Sequence, residues 1–295
     1  MALSRRYWQQ CGLPALQAEF AQLAPRVAAG LLGEGSECLG FDDEISRDHD
    51  WGPGFCLWLP ADLYQSHGAA LADWYRRLPQ SFEGWLVKTT PGRVGVFEQT
   101  QFFARFVGAI PQTGPDWLFI PEQYLSVATA GEVFYDPSGE FTHLLQTLRH
   151  CPEPVRQKRL AARCVTMMQS GQYNYLRCIQ RGECFAADLA LREFVLAACS
   201  AIFLLNGRWM PFYKWLPRAL AALPRLGQLT PTLQQLLECP DDPAALVHTV
   251  CAAVADELRC QNLTALPGCD MQQLGLDLQA HIADPALQVL PVLAG

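Results

Sequence analysis

Residues 31–58 read LLGEGSECLGFDDEISRDHDWGPGFCLW, the most informative stretch of the chain. An apolar run, Val27 to Leu32, delivers the chain into a Gly-Ser turn at Gly35-Ser36. Glycine lets a backbone approach a phosphate closely, and the serine hydroxyl and the amides after it can bond phosphate oxygens. A helix starting at Ser36 would add the dipole of its N-terminus at the same point. Eleven residues separate Ser36 from Asp48, and Asp50 follows two positions later. Side chains two apart on a strand share a face, so Asp48 and Asp50 would present two hard oxygen ligands together while His49 points away. That pair suits a magnesium ion bridging substrate phosphates. Next comes GFCLWL, Gly54 to Leu59, bounded by Pro53 and Pro60, which predicts a buried strand. Asp42, Asp43, Glu44, Asp48 and Asp50 crowd into nine positions. A solvated acidic loop would account for that cluster, but it would not need buried strands on both sides.

Outward from this stretch, the first half mixes helices with short strands. Arg5 to Leu23 and Leu63 to Leu78 predict helices. Trp85 to Thr89 and Arg93 to Glu98 predict strands on either side of a Pro91-Gly92 turn, and Glu132 to Tyr135 predicts another, closed by Asp-Pro-Ser-Gly. From about Pro152 the periodicity becomes helical. Val155 to Met168 carries a basic face of Arg156, Lys158, Arg159 and Arg163, and Gln172 to Arg181 resumes after a break at Gly171. Phe185 to Asn206 is apolar on nearly every side and closes at Gly207, so it belongs at the centre of a bundle. Leu216 to Leu223, Thr232 to Leu237, Pro243 to Cys260 and Met271 to Ile282 follow, with Asp242-Pro243 as a capped helix start. The expected fold class is α+β: a mixed-sheet domain over 1–150 and a helical bundle domain over 151–295.

Composition narrows the functional classes. Of 295 residues, half are hydrophobic and 17% are charged, with a net charge of −7. A general nucleic-acid binder needs a basic face, so that class is excluded. The high apolar fraction allows a large core and favours a homodimer. The start MALSRRYWQQCGLPALQAEF has no apolar core long enough for a signal peptide, and no run reaches the length of a membrane span. Twelve cysteines form no CxxC pair; Cys164, Cys199 and Cys251 lie in apolar stretches, as reduced core thiols of a cytoplasmic protein would. There is no phosphate-binding GxxxxGK[ST], no GxGxxG after a strand and no GxSxG. His143 and His150 lack ligating partners in the sequence and read as ordinary surface or core histidines.

Gly35-Ser36, the eleven-residue interval and Asp48-His49-Asp50 resemble the signature of the nucleotidyltransferase superfamily. GEGSECLGFDDEISRDHDWGPGF, and NGRWMPFYKWLPRAL from Asn206, look like the DUF4037 branch of that superfamily, and the resemblance extends to about residue 225. The layout is similar to that of kanamycin nucleotidyltransferase-type enzymes, with Phe134-Tyr135-Asp136 ending a strand just ahead of the helices. The resemblance implies transfer of a nucleoside monophosphate from an NTP, with ATP the expected donor, to a hydroxyl of a small-molecule or protein acceptor. Asp48 and Asp50 would be catalytic and hold Mg2+, and Gly35 and Ser36 would hold the β and γ phosphates. Arg47 would reach a phosphate or pair with Asp43 or Glu44.

The pattern also has departures. The third carboxylate of many members falls at Gly95, and Glu98 lies at the strand end. A base from the helical half would be sought among Glu183, Asp188 and Glu193. Glu193 is the best placed, in an apolar helix that would raise a carboxyl pKa, or else it pairs with a neighbouring arginine. Tyr173 and Arg177 share a helix face. Arg208 and Lys214 would meet the triphosphate or belong to a network at the end of the bundle, and Trp209, Phe212 and Trp215 read as core. An unassigned base keeps a second class open: a catalytically inactive nucleotide-binding sensor or interaction protein.

Overall fold

A computed structural model describes residues 1–47, 51–238 and 241–295, Arg47 by its backbone alone. The chain divides into two compact units, one of residues 1–110 with 124–149 and one of residues 111–123 with 150–295. The segment 111–123 therefore groups with the helical unit.

The first unit is built on a mixed four-stranded sheet. Its strands are β1 (Ala28–Leu32), β2 (Cys56–Leu59), β5 (Gly95–Glu98) and β6 (Gly131–Tyr135), in the order β5-β2-β1-β6. β3 (Ser81–Phe82) and β4 (Trp85–Leu86) form a separate two-residue ribbon. β1 runs antiparallel to both neighbours, while β2 and β5 run parallel with Cys56 opposite Gly95. Every residue of β1 and β2 is buried, which explains why both read as unbroken apolar runs rather than alternating ones. Gly30 is required at the centre: a Cβ there would lie 2.3 Å from the Glu132 carbonyl oxygen on β6.

Alternation in β2 splits the core. Phe55, Leu57 and Leu59 pack with Tyr7, Trp8, Leu16, Leu71 and Trp74 from the opening helical segment and the helix Ala61–Arg77. Trp58 faces the other way, stacked on Phe141 at 4.0 Å between ring centres and edge-on to Phe102. Those two rings belong to the helices Gln99–Val107 and Glu140–Arg149. The sheet is thus covered on both faces. The opening helix runs Ala2–Tyr7, widens to a π-turn over Trp8–Gly12 and resumes at Leu13–Glu19. Pro14 accounts for the widening, because it lacks an N–H and its ring collides with the preceding turn.

Two local expectations change. Trp85–Thr89 contributes only the short ribbon and not a strand of the main sheet. Gln99–Val107 is a helix although its text, QTQFFARFV, suggested none; Glu98 caps it through both carboxylate oxygens, to the amides of Thr100 and Gln101 at 2.9 and 2.7 Å.

Among its described residues the second unit holds helices joined by turns and no strand. The helix Cys184–Leu205 is buried along most of its length from Ala187 onward and packs against the helices Glu153–Met167 and Pro243–Cys260. It closes in a Schellman motif: the Gly207 amide donates to the Leu204 carbonyl and that of Arg208 to the Phe203 carbonyl, both at 3.0 Å. Asp242 caps Pro243–Cys260 by accepting from the Ala245 amide at 3.0 Å. Gly171 does not break the chain into two helices. It sits inside a π-turn, Met168–Asn174, where a Cβ would fall 2.4 Å from the Phe194 ring.

The expected basic face of Glu153–Met167 is turned inward. Lys158 is buried and donates to Gln279 Oε1 and to the carbonyls of Pro291 and Val292 at 2.7–3.1 Å. Arg159 is buried, donates to the carbonyls of Trp117 and Ile120 at 2.7 Å, and lies over the Trp209 ring. Glu122, also buried, accepts from Arg163 at 3.0 Å and Ser200 at 2.7 Å, with Arg159 3.6 Å away. Helical periodicity places these cations on the helix but cannot see that carbonyls and a carboxylate await them inside.

Candidate functional site

The Gly-Ser turn forms where β1 ends. Gly35 holds φ +110° and ψ 147°, a conformation essentially closed to residues with a side chain. Ser36 opens a single helical turn, Ser36–Leu39, ended by Gly40 in the left-handed region. The Ser36 hydroxyl donates to Asp42 Oδ1 at 2.6 Å. Asp43 is occupied locally: its carboxylate accepts from the Ser46 amide at 3.0 Å and its hydroxyl at 2.9 Å, shaping the turn Ile45–Arg47. Asp48, His49 and Asp50 lie outside the described residues, as does the side chain of Arg47.

Three cations that sequence reading did not connect with the turn gather beside it. Arg93 packs against the bare Cα of Gly35, where a Cβ would sit 2.5 Å from its Nη2, and that nitrogen donates to the Glu34 carbonyl at 2.8 Å. Lys88 is buried and ion-paired with Glu37, on the helical turn that follows Gly35. Burial, and secondarily the charge of Arg93, pushes the Lys88 ammonium down to about 8. Arg105 lies over the rings of Phe97, Phe102 and Phe106, 4.7–5.0 Å from their centres, and donates to the Gly92 carbonyl next to Arg93. Burial holds its pKa below the usual arginine value. The available signal was the Phe102-Phe103-Ala104-Arg105-Phe106 text, an arginine inside an aromatic run.

Gly95 pairs with Cys56 across the parallel β2–β5 contact and has φ +123°, with open space where a Cβ would stand. The backbone at that position favours glycine by conformation and not by crowding. Glu98 is used as a helix cap. Cys56 and Cys38, both buried, have thiols pushed up to about 12 by burial, which keeps them protonated and poorly nucleophilic.

Glu193, Arg208 and Lys214 belong to the second unit. Glu193 is exposed on the helix Cys184–Leu205, outside the apolar surroundings expected for it, and it has no ion pair among the described residues. A helix that is apolar in composition can still turn one polar stripe to solvent. Arg208 is exposed; its amide completes the Schellman motif. Lys214 is exposed over the Trp215 ring at 5.2 Å. Trp209 is core, stacked on Trp117, whereas Phe212 is 40% exposed and Trp215 is half-buried. Arg177 donates to the Tyr173 hydroxyl at 2.7 Å, as their helical spacing implies. Asp136 shapes the turn before Glu140–Arg149, accepting from the amides of Gly139 and Thr142.

The class defined by these observations is an α+β protein, a mixed sheet covered by helices together with an all-helical unit. Residues 117–216 match the DUF4037 family, a domain of unknown function. The match includes Glu122, Arg159, Arg163 and Ser200, the buried cluster of the second unit. The chain is also similar to the nucleotidyltransferase-like protein of Exiguobacterium sibiricum 255-15. That likeness has 12% identity and a TM-score of 0.35, covering 92% of this chain and 81% of the other, too loose to transfer a site. No curated protein matches the chain significantly. No helix among the described residues is long and apolar enough to cross a membrane.

Proposed function

We propose that this chain is a magnesium-dependent nucleotidyltransferase that moves a nucleoside monophosphate from an NTP, with ATP as the expected donor, to a hydroxyl of a small-molecule or protein acceptor. The observation that carries the proposal is the Gly35-Ser36 turn: a glycine at φ +110° after a buried central strand, a serine opening the next helical turn, and the Arg93 guanidinium against the glycine. Backbone, hydroxyl and guanidinium at one turn suit phosphate oxygens. Ser36 would exchange its bond to Asp42 for one to phosphate. Asp48 and Asp50 are the proposed magnesium ligands. The ion's remaining ligands would come from the nucleotide and water. Bound there, magnesium would neutralise charge on the triphosphate.

Gly95 and the exposure of Glu193 favour a second reading, nucleotide binding without turnover. One experiment separates the two. Thermal melting with each NTP, with and without magnesium, is run on the natural chain and on an Asp48→Asn, Asp50→Asn variant. A ligand at 100 times its Kd adds about 2.7 kcal/mol of stability. A magnesium-dependent rise lost in the variant supports the site, and pyrophosphate release on acceptor screening then distinguishes transferase from sensor. No rise with any NTP refutes both.

A further inference from the structure

The helix Cys184–Leu205 is buried along one side but leaves three apolar side chains bare on the other, with Arg192 and Glu193 between the second and third along the helix. Phe185 is 77% exposed, Leu189 51% and Leu196 51%. At 100° per residue Leu189 and Leu196 fall within about 20° of one another and Phe185 within about 40° of Leu189, so the three share one face. The adjoining helix Tyr175–Gln180 exposes Leu176 and Ile179 at 43% and 47%. Scattered single exposures of this kind are ordinary, whereas a stripe along one helix face marks a contact surface. Arg192 and Glu193 stand exposed on opposite edges of the stripe, and neither makes an ion pair among the described residues.

We infer that a second copy of this chain packs on this face, the two Cys184–Leu205 helices running parallel about a two-fold axis. The occupant follows from the charges. In a parallel two-fold pair, one edge of a helix faces the opposite edge of its mate, so each Arg192 meets the partner's Glu193. Antiparallel pairing would set Arg192 against the partner's Arg192. Leu189 and Leu196, seven residues apart, then meet their own counterparts, the spacing that packs two helices side by side. The surface is self-complementary, as a two-fold interface must be. This inference does not depend on nucleotide chemistry.

Light scattering after size exclusion at micromolar concentration tests it. The natural chain is expected at twice the 32.8 kDa chain mass. Leu189→Glu with Leu196→Glu should give the single-chain mass with an unchanged circular dichroism spectrum, since both positions are exposed. Arg192→Glu, which sets like charges together twice, should weaken association about tenfold, and adding Glu193→Arg should restore it. Oxidised Leu189→Cys should form a disulfide between two copies of residue 189, identified by peptide mass. A natural chain of single mass, or a double glutamate variant that keeps the doubled mass, overturns the proposal. A 189–196 cross-link in a mixture of Leu189→Cys and Leu196→Cys chains, without a 189–189 one, overturns the parallel arrangement.

Discussion

Gly35→Ala is the sharpest perturbation of the turn. At φ +110° and ψ 147° a residue with a Cβ is strained by about 1–3 kcal/mol. The new methyl would also fall 2.5 Å from Arg93 Nη2, forcing away a guanidinium whose bond to the Glu34 carbonyl is 2.8 Å long. That partly exposed, charge-assisted bond contributes about 1 kcal/mol. Alanine returns roughly 0.4–1 kcal/mol by restricting the unfolded chain. The net loss is about 1–3.6 kcal/mol, or a melting temperature lower by roughly 2–14 °C for a chain of this size. The assay is urea and thermal denaturation of the natural chain, Gly35→Ala, Arg93→Ala and the double variant. With Arg93 truncated the steric part vanishes, and the glycine substitution should cost about 1 kcal/mol less, a coupling between neighbours. A Gly35→Ala cost under about 0.5 kcal/mol, the range of ordinary surface changes, would refute the conformation and the Arg93 contact together.

Glu122→Gln should cost about 3–5 kcal/mol in urea denaturation, because it leaves the buried Arg159 without its counter-charge. Gly171→Ala should lose about 1–3 kcal/mol by pressing a methyl into the Phe194 ring, and a neutral result would contradict the close approach in the π-turn. Burial lowers the buried Lys158 ammonium to about 8, while an unfolded lysine titrates near 10.4. Between those values the unfolded chain holds a proton that the folded chain has released, so stability should rise with pH across that window. Comparison with Lys158→Met, which should lack the rise, isolates the effect from other titrating groups.

How far the sequence could be read depended on the range of the interactions involved. β1 and β2 were legible because fully buried strands must be apolar along their length, and the partly buried β5 and β6 because β-branched and aromatic text bounded by glycine and proline turns is a local signal. The caps at Asp242 and Gly207 were legible because a side chain or a missing Cβ acts within one turn. The helix Gln99–Val107 was missed since its start depends on Glu98, read as a strand end, and its inner face is aromatic where the sheet presents Trp58. The exposure of Glu193 was not legible because composition describes a whole helix while exposure belongs to one side of it.

Local sequence thus encoded the α+β class, the order of the four main strands and of the bundle helices, and the Gly35-Ser36 turn, each within a few neighbouring residues. Only the tertiary structure decided that Arg93 packs on Gly35 across 58 positions of chain, that Lys88 pairs with Glu37, and that Lys158 and Arg159 point inward. Those contacts join residues distant in sequence, and a cation's partner is chosen by where folding brings carbonyls and carboxylates, which no local pattern records.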